Sequence, residues 1–271
     1  MSMPFTRAHA ARLLASAAVA AVLAAPVGGC TTTGDSITGS LGSTEQPRTD
    51  ADWRRYAAAW GERYRNNTAD AEAAMNYAHA LRATGERAQA AAVLEQASIQ
   101  NPSNKALLGE YGRSLADIGS YNQALEVLAR AHTPDQPDWR ILNAQGAVLD
   151  QMGRHQEAQR YYSSALKIIP NEPSVLSNLG LSYALSKDLK SAEITLRRAV
   201  AQPNVKPKVR QNLALVVGLQ GRFAEAEKIA GADLPPDEAA ANVSYLRQML
   251  AEQSQAKKYG KARVPAPDTG S

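Results

Sequence analysis

The sequence predicts an all-α fold in which five similar helix pairs lie between two capping helices, and three observations lead to this prediction. Small residues recur at intervals of 34 positions, as at Gly112, Gly146 and Gly180. Large apolar residues follow three positions later with the same interval, as at Leu115 and Leu149. The composition, with 44% hydrophobic and 21% charged residues, is that of an ordinary globular protein.

The 34-residue interval holds at several independent positions of the repeating unit, which excludes chance. The small position of the first helix holds Ala78, Gly112, Gly146, Gly180 and Ala214. The second helix carries small residues at Ala90, Ala124, Ala158, Ala192 and Ala226, and again at Ala97, Ala131, Ala165 and Ala199. The turn between the helices holds Gly85, Gly119, Gly153 and Gly221, with Lys187 as the exception. Five units therefore run without insertion from about residue 71 to residue 234.

Each recurring residue type has a physical role in a pair of packed helices. Small residues let two helices approach closely, and glycine at the turn can adopt a positive φ. Pro102 and Pro170 lie where a second helix must stop, because proline cannot continue a helix. A 34-residue helix-turn-helix period is typical of the tetratricopeptide repeat (TPR). Stacked TPR units form a right-handed superhelix whose concave groove is lined by the first helices.

The segments on either side of the five units are predicted to be capping helices, which gives a solenoid over residues 51–252. Trp53, Tyr56, Trp60 and Tyr64 form an aromatic stripe at helical spacing ahead of the first unit. This stripe either packs on the repeats or binds a partner. After the fifth unit, the segment 234–238 has proline followed by acidic residues, an order typical of a helix start. Residues 253–271 are basic and are expected to be a disordered tail that is solvated or contacts an anionic lipid or acidic partner.

The N-terminus is predicted to be a lipoprotein signal peptide that is cleaved after residue 29. Two arginines precede an uncharged run from Leu13 to Ala25, which is too short to span a bilayer. The following Val27-Gly28-Gly29-Cys30 resembles the bacterial lipobox, in which the cysteine thiol receives a lipid. Thr31 in place of an aspartate implies sorting to the outer membrane, with the protein on the periplasmic face of a Gram-negative envelope.

Cys30 is the only cysteine in the sequence, which excludes an intramolecular disulfide and the multi-cysteine zinc sites. Residues 30–50 are rich in serine, threonine and glycine, and they are expected to form a flexible tether between the lipid and the solenoid. Acyl chains on Cys30 would supply stable anchoring to a bilayer.

The sequence offers no sign of catalysis, and we expect a binding protein without enzymatic activity, cofactor or metal. It contains none of the catalytic or nucleotide-binding motifs of hydrolases, phosphate-binding loops, zinc proteases or dinucleotide-binding domains. The formal charge of +4 falls to about +2 without the signal peptide, which is too weak to indicate nucleic-acid binding. His155 is expected to pack between helices, because sister units have Tyr121, Leu189 and Phe223 at its position.

The concave groove is the predicted functional surface, and it is expected to bind a peptide or helix segment of a protein partner. The candidate groove residues are His79, Arg82, Arg113, Asp117, Arg140, Asn143, Asp150, Gln151, Ser177, Leu181, Lys208 and Gln211. The N-terminal half of this set is polar and contains arginines, which suit planar recognition of carboxylates. The C-terminal half is more apolar. Each of these side chains could instead be a solvated polar position.

Three segments give the chain a closer resemblance, which covers roughly residues 50–252. DWRILNAQGAVLDQMGRHQEAQRYY, EPSVLSNLGLSYAL and VRQNLALVVGLQGRFAEAEKIAGADLPPDEAAANVSYLRQML resemble the TadD family, TPR lipoproteins of the Flp (tight adherence) pilus assembly system. The resemblance implies an assembly factor at the outer membrane that assists the secretin pore or another pilus component. The residues alone also allow a TPR lipoprotein of another envelope pathway, such as peptidoglycan-synthase activation or outer-membrane or lipopolysaccharide assembly.

Replacement of the lone cysteine tests the predicted anchor. We expect Cys30→Ser to remain unprocessed and to lose its partitioning into the outer membrane, because serine offers no thiol for lipid transfer. Intact-mass measurement and membrane fractionation check this, with Thr33→Ser as the control. Identical processing and fractionation of Cys30→Ser and the native chain would refute lipidation.

Overall fold

The computed structural model describes residues 49–203 and 205–262, which form an all-α fold. Twelve helices lie within these ranges: α1 (Asp50–Asn66), α2 (Ala71–Ala83), α3 (Arg87–Gln100), α4 (Lys105–Asp117), α5 (Tyr121–Arg130), α6 (Trp139–Gln151), α7 (His155–Ile168), α8 (Pro173–Leu185), α9 (Leu189–Val200), α10 (Pro207–Leu219), α11 (Phe223–Ala230) and α12 (Pro236–Ala262). The predicted signal peptide, Cys30, the predicted tether up to residue 48 and the part of the predicted tail from residue 263 lie outside the described residues.

Five helix pairs repeat with a constant step, as the sequence predicted. The first helices α2, α4, α6, α8 and α10 begin 34 residues apart, and so do the second helices α3, α5, α7, α9 and α11. We call these pairs repeats 1 to 5. The second helices shorten to 10 residues in α5 and 8 residues in α11. The first helices keep 13 residues throughout, so the face that they form is the regular one.

The small residues of the first helices touch large side chains of the second helices. A Cβ atom placed on Gly146 would lie 2.6 Å from Cε1 of Tyr162, and one on Gly180 would lie 2.6 Å from Cγ of Leu196. Both distances are shorter than a carbon–carbon contact allows. The small positions of the second helices, such as Ala158, are fully buried. The predicted close approach of the paired helices is therefore confirmed.

The turns inside the repeats adopt the left-handed backbone conformation that glycine favours. Gly85, Gly119, Gly153 and Gly221 have φ values between +75° and +90°. Lys187 occupies the same position in repeat 4 and has a φ of +69°. The amide of the following Asp188 donates to the carbonyl of Tyr183 at 2.9 Å, which closes the end of α8. The turn geometry is thus kept in repeat 4 by a residue that has a Cβ.

The repeats stack so that each first helix also contacts the first helix of the next repeat. Contacts join α2 to α4, α4 to α6, α6 to α8 and α8 to α10, and α10 contacts α12 in the same way. These contacts align the first helices in a row, and the predicted groove residues lie on this row. Among the described residues, no helix has both the length and the apolar character needed to cross a membrane.

The helix α1 packs on repeat 1 through the predicted aromatic stripe. The ring of Trp53 lies 4.9 Å from that of His79 in an edge-to-face contact, and the hydroxyl of Tyr56 donates to Asn76 at 2.8 Å. Tyr64 is buried in the core of the first repeats. The stripe is therefore used for packing within the chain.

The helix α12 takes the place of a first helix after repeat 5. Val243 is buried and lies 34 residues after the buried Val209. The positions that would face a further second helix hold exposed Ser244 and Gln248, which explains why the array ends here. The helix continues to Ala262, beyond residue 252, because Gln, Ala and Lys dominate this stretch and all favour helix.

A network of four charged side chains joins the second helices of repeats 4 and 5. The Glu193 carboxylate accepts from Arg197 and from Arg222, each at 2.7 Å, and Glu225 bonds to the same two arginines. Burial alone would raise the pKa of Glu193, but hydrogen bonds from Arg222, Gln220 and Arg197 lower it to about 2 from its ordinary value of 4.5. The network therefore stabilises the interface between these repeats while Glu193 is ionised.

The positive φ of Lys187 makes a sign-specific prediction. We expect Lys187→Gly to raise the free energy of unfolding by about 1 kcal/mol, because the native conformation there disfavours a side chain. Lys190→Gly, three residues later inside α9, is the matched control and should lower it by up to about 1 kcal/mol. Urea unfolding of both variants measures the difference, and destabilisation by Lys187→Gly would contradict the turn geometry.

The charged network makes a pH-dependent prediction. Because the folded pKa of Glu193 is depressed, its contribution is complete above its ordinary pKa of 4.5 and is lost as the pH falls toward about 2. We expect Glu193→Gln to lower the free energy of unfolding by about 2 kcal/mol near neutral pH. The difference between this variant and the native chain should narrow below pH 4.5. Urea titrations of the native chain, Glu193→Gln and the exposed control Glu227→Gln measure it. A difference in unfolding free energy that stays constant with pH would exclude an electrostatic origin of the stabilisation by Glu193.

Candidate functional site

A cavity of about 610 Å³ opens on the row of first helices at repeats 2 and 3. Its walls come mainly from α4 and α6, with contributions from the end of α2 and the start of α5 and α8. The lining residues are Arg82, Arg113, Ala116, Asp117, Tyr121, Trp139, Arg140, Asn143, Ala144, Ala147, Val148, Gln151 and Ser174. The cavity thus gathers six of the predicted groove residues: Arg82, Arg113, Asp117, Arg140, Asn143 and Gln151.

Two of the three arginines in the cavity are held by carboxylates of the same wall. The Arg82 Nε donates to Asp117 at 2.6 Å across the gap between α2 and α4, and Arg113 Nη1 donates to Glu110 at 2.8 Å. Arg82 Nη1 also lies 3.5 Å from Glu110. These side chains are half-buried, so their mutual hydrogen bonds hold the wall in a fixed arrangement.

Arg140 differs from the other two arginines. Its guanidinium lies over the ring of Trp139, with Cζ 4.6 Å from the ring centroid, and its side chain is 63% exposed. The nearest carboxylate, Asp138, is 4.0 Å from Nη1 and already accepts the backbone N–H of Arg140 as the cap of α6. An exposed ion pair at this distance contributes little. Arg140 can therefore turn its donors to an incoming anion.

The structure places Asp150 beneath the groove instead of in the cavity. Its carboxylate accepts from the hydroxyls of Tyr162 at 2.9 Å and Ser182 at 2.8 Å, and His155 Nδ1 lies 2.9 Å away. Burial, together with the charge and hydrogen bond of Asp150, raises the pKa of Tyr162. This cluster joins α6, α7 and α8, and the half-buried His155 packs between helices as expected. The hydroxyl of Ser182 bonds to Asp150 and not to the imidazole.

Ser177 is also engaged inside the protein. It is buried and accepts from Asn212 Nδ2 at 2.9 Å, and one repeat earlier Asn178 Nδ2 donates to Asn143 at 3.0 Å. Both bonds join residues 35 positions apart on adjacent first helices, as does the bond from Arg82 to Asp117. Sequence reasoning missed Asn178 and Asn212, although the equivalence of these two asparagines across one repeat was visible.

The remaining candidates lie on the same row of helices but away from the cavity. His79 is exposed beside Trp53 of α1, and Lys208 is exposed at the start of α10. Leu181 and Gln211 are half-buried on α8 and α10. No group of three or more metal-ligating side chains lies within residues 49–203 and 205–262.

Models of the tetratricopeptide repeat match residues 81–146 and residues 143–206. Together these matches run from the first helix of repeat 1 to the end of repeat 4. The helix pairs within these matched residues are tetratricopeptide repeats. The 34-residue step of the helices extends the same TPR geometry to repeat 5.

Solved structures share this TPR fold at low identity. The chain is similar to PilW, a type IV pilus biogenesis factor, with a TM-score of 0.62, 17% identity and coverage of 71% of this chain and 91% of that one. It is also similar to the APC/C hetero-tetramer Cut9-Hcn1, with a TM-score of 0.57, 15% identity and coverage of 72% of this chain and 40% of that one. At these identities the likeness concerns the fold.

A relative in sequence is the uncharacterised protein y4yS of Sinorhizobium fredii. It is 34% identical over 116 residues, which are 43% of this chain. The chain spans 62% of the length of this relative.

Proposed function

We propose that this TPR protein is a non-enzymatic assembly factor of the Flp pilus, anchored by lipid at the periplasmic face of the outer membrane. In this function it binds a segment of the secretin or of another pilus component through the groove on its first helices. The repeats supply a rigid surface, and the predicted lipid at Cys30 would hold that surface close to the pore.

The observation that carries the binding role is the arrangement of charge in the cavity. Arg82 and Arg113 are already paired with Asp117 and Glu110, so they shape the wall. Arg140 is exposed, stands on an aromatic ring and has only a distant carboxylate partner. A guanidinium presented in this way binds carboxylates through two parallel hydrogen bonds. TPR domains bind protein segments, and this cavity lies on the face that the repeats keep regular.

The pilus assignment rests on the sequence of the two ends of the chain. The lipobox-like Val27-Gly28-Gly29-Cys30 supports an envelope lipoprotein, and the segment after repeat 5 supports the TadD family because generic TPR proteins lack it. The fold of this chain also occurs in PilW, a pilus biogenesis factor. That likeness adds a precedent for the fold and no more.

Charge reversal in the cavity tests this function in cells. We expect the pair Arg113→Glu and Arg140→Glu to abolish crosslinking to the pilus partner and to reduce secretin multimers and surface pili. The double variant should stay folded, with a thermal midpoint lowered by no more than about 4 °C, because Arg113→Glu loses one partly exposed ion pair with Glu110.

The matched control reverses two arginines outside the groove, Arg87→Glu and Arg160→Glu, which are exposed on the second helices α3 and α7. This control should leave pili and multimers unchanged. Normal pili and multimers after deletion of the whole gene would exclude the pilus function. Normal capture by the Arg113 and Arg140 double variant would exclude the cavity as the contact.

A further inference from the structure

Two rows of side chains run along the groove, and their positions follow from the cavity and the 34-residue step. The cavity lining contains Arg113 and Ala147, which are equivalent residues of α4 and α6, and likewise Asp117 and Gln151. The equivalent residues on the other first helices and on α12 therefore face the same side. Row one is His79, Arg113, Ala147, Leu181, Leu215 and Met249, and row two is Ala83, Asp117, Gln151, Leu185, Leu219 and Gln253.

The chemistry of both rows changes between α6 and α8. On α2, α4 and α6 the rows and the cavity present charged, polar or small side chains. On α8 and α10 both rows consist of leucine. Leu185 is 42% exposed, and Leu181, Leu215 and Leu219 are half-buried. We call Leu181, Leu185, Leu215 and Leu219 the leucine patch.

The leucine patch extends onto α12. Tyr245 is 50% exposed and lies 34 residues after Gln211, and half-buried Met249 continues row one. Apolar side chains that line up on three successive helices mark a contact surface, whereas single exposed apolar residues do not. The groove thus has an apolar region next to a cationic one.

We infer that the groove binds one extended segment of a partner protein that carries an acidic residue and a pair of apolar residues at a set distance. The acidic residue binds Arg140 in the cavity, and the apolar pair lies on the leucine patch. This inference rests on the proposed function, because it specifies the occupant of the same groove.

The distance between the two regions sets the spacing in the segment. Arg140 lies at the start of α6, whereas the leucine patch lies near the ends of α8 and α10, so the two are separated both along and across the helices. The offset along the axes is about nine residues, or about 14 Å at 1.5 Å per residue. One and a half helix spacings of roughly 8–10 Å add about 14 Å across the helices, so Arg140 and the centre of the patch are about 19 Å apart. An extended chain advances about 3.3 Å per residue. The acidic residue and the apolar pair are therefore separated by about five or six residues.

The charges in the cavity favour an acidic residue over a basic or neutral one. Arg82, Arg113 and Arg140 line it, against the single carboxylate of Asp117. Glu110 lies beside it and is shared by Arg82 and Arg113. A basic side chain would meet this excess of positive charge, and a neutral one would give Arg140 no charged acceptor.

Labelled peptides of fixed composition test the spacing. Each contains one Asp and one Leu-Ser-Leu pair in a Gly/Ser background, separated by one, five or eleven residues. Fluorescence anisotropy with the full chain in detergent should show binding at least about tenfold tighter for the five-residue spacing. Exchange of Asp for Asn in that peptide should weaken it by about tenfold.

Variants of groove residues show which part of the groove binds each half of the peptide. Arg140→Glu should weaken binding of the Asp peptide but not of its Asn counterpart. Leu181→Ser with Leu215→Ser should weaken binding of the Asp peptide but not of a counterpart in which both leucines are replaced by serine. Ile194→Ser is the matched control, because Ile194 is 61% exposed on α9, outside the groove. Affinity that is independent of spacing, or equal loss with Ile194→Ser, would overturn the inference. Sedimentation of each variant checks its association state. The inference would also be overturned if the groove variants lost peptide affinity only because they self-associate.

The failure of this inference can be told apart from failure of the proposed function. If pili depend on Arg113 and Arg140 but the peptides show no spacing preference, the function stands and the extended two-part occupant is wrong. If the peptides bind as expected but pili survive deletion of the gene, the groove chemistry stands and the pilus function is wrong.

Discussion

The structure depends on one contact that is made again in successive repeats, between a small residue of the first helix and a large residue of the second. Gly146 against Tyr162 is the clearest case, because a Cβ on the glycine would overlap the ring. The contact fixes how close the two helices lie, and Ala158 on the facing helix keeps the approach open. Once each pair has the same separation, the pairs can stack with a constant 34-residue step. The regular row of first helices is a consequence of this packing.

That packing leaves the groove side of each first helix free to vary in chemistry. Positions equivalent to Arg113 change from cation to alanine to leucine along the row while the helix bounds do not move. The same division of each helix into a packing side and a groove side explains how the array ends at α12. Val243 keeps the packing position in α12, whereas Ser244 and Gln248 replace the residues that would hold another helix. The groove can therefore carry specificity without altering the fold.

The repeat pattern made the fold predictable, since packing and turn positions each demand a narrow class of residue. The left-handed turn was predictable from its glycines, and even Lys187 obeys it because the packing on both sides requires that turn. The cavity was predictable in part, since six candidates share one face of α2, α4 and α6. The place of Asp150 beneath the groove was not predictable, because its role depends on hydroxyls from two other helices. Only the folded chain brings these hydroxyls within 3 Å of its carboxylate. Of the two arginines that pair with Glu110, Arg113 lies three residues later on α4, whereas Arg82 comes from α2 and was hidden for the same reason.

The side chains that the sequence pattern missed or misplaced are among those that set the geometry of the groove. Asp150 joins α6, α7 and α8, and the bonds from Asn178 to Asn143 and from Asn212 to Ser177 tie successive first helices together. A bound segment reads the distance between Arg140 and the leucine patch only if these helices keep their spacing. Loss of the internal bonds would let that distance fluctuate, and the segment would then have to order the groove as it binds, which costs affinity. The buried polar residues thus contribute to recognition without touching the ligand, and stability and specificity depend on the same hydrogen bonds.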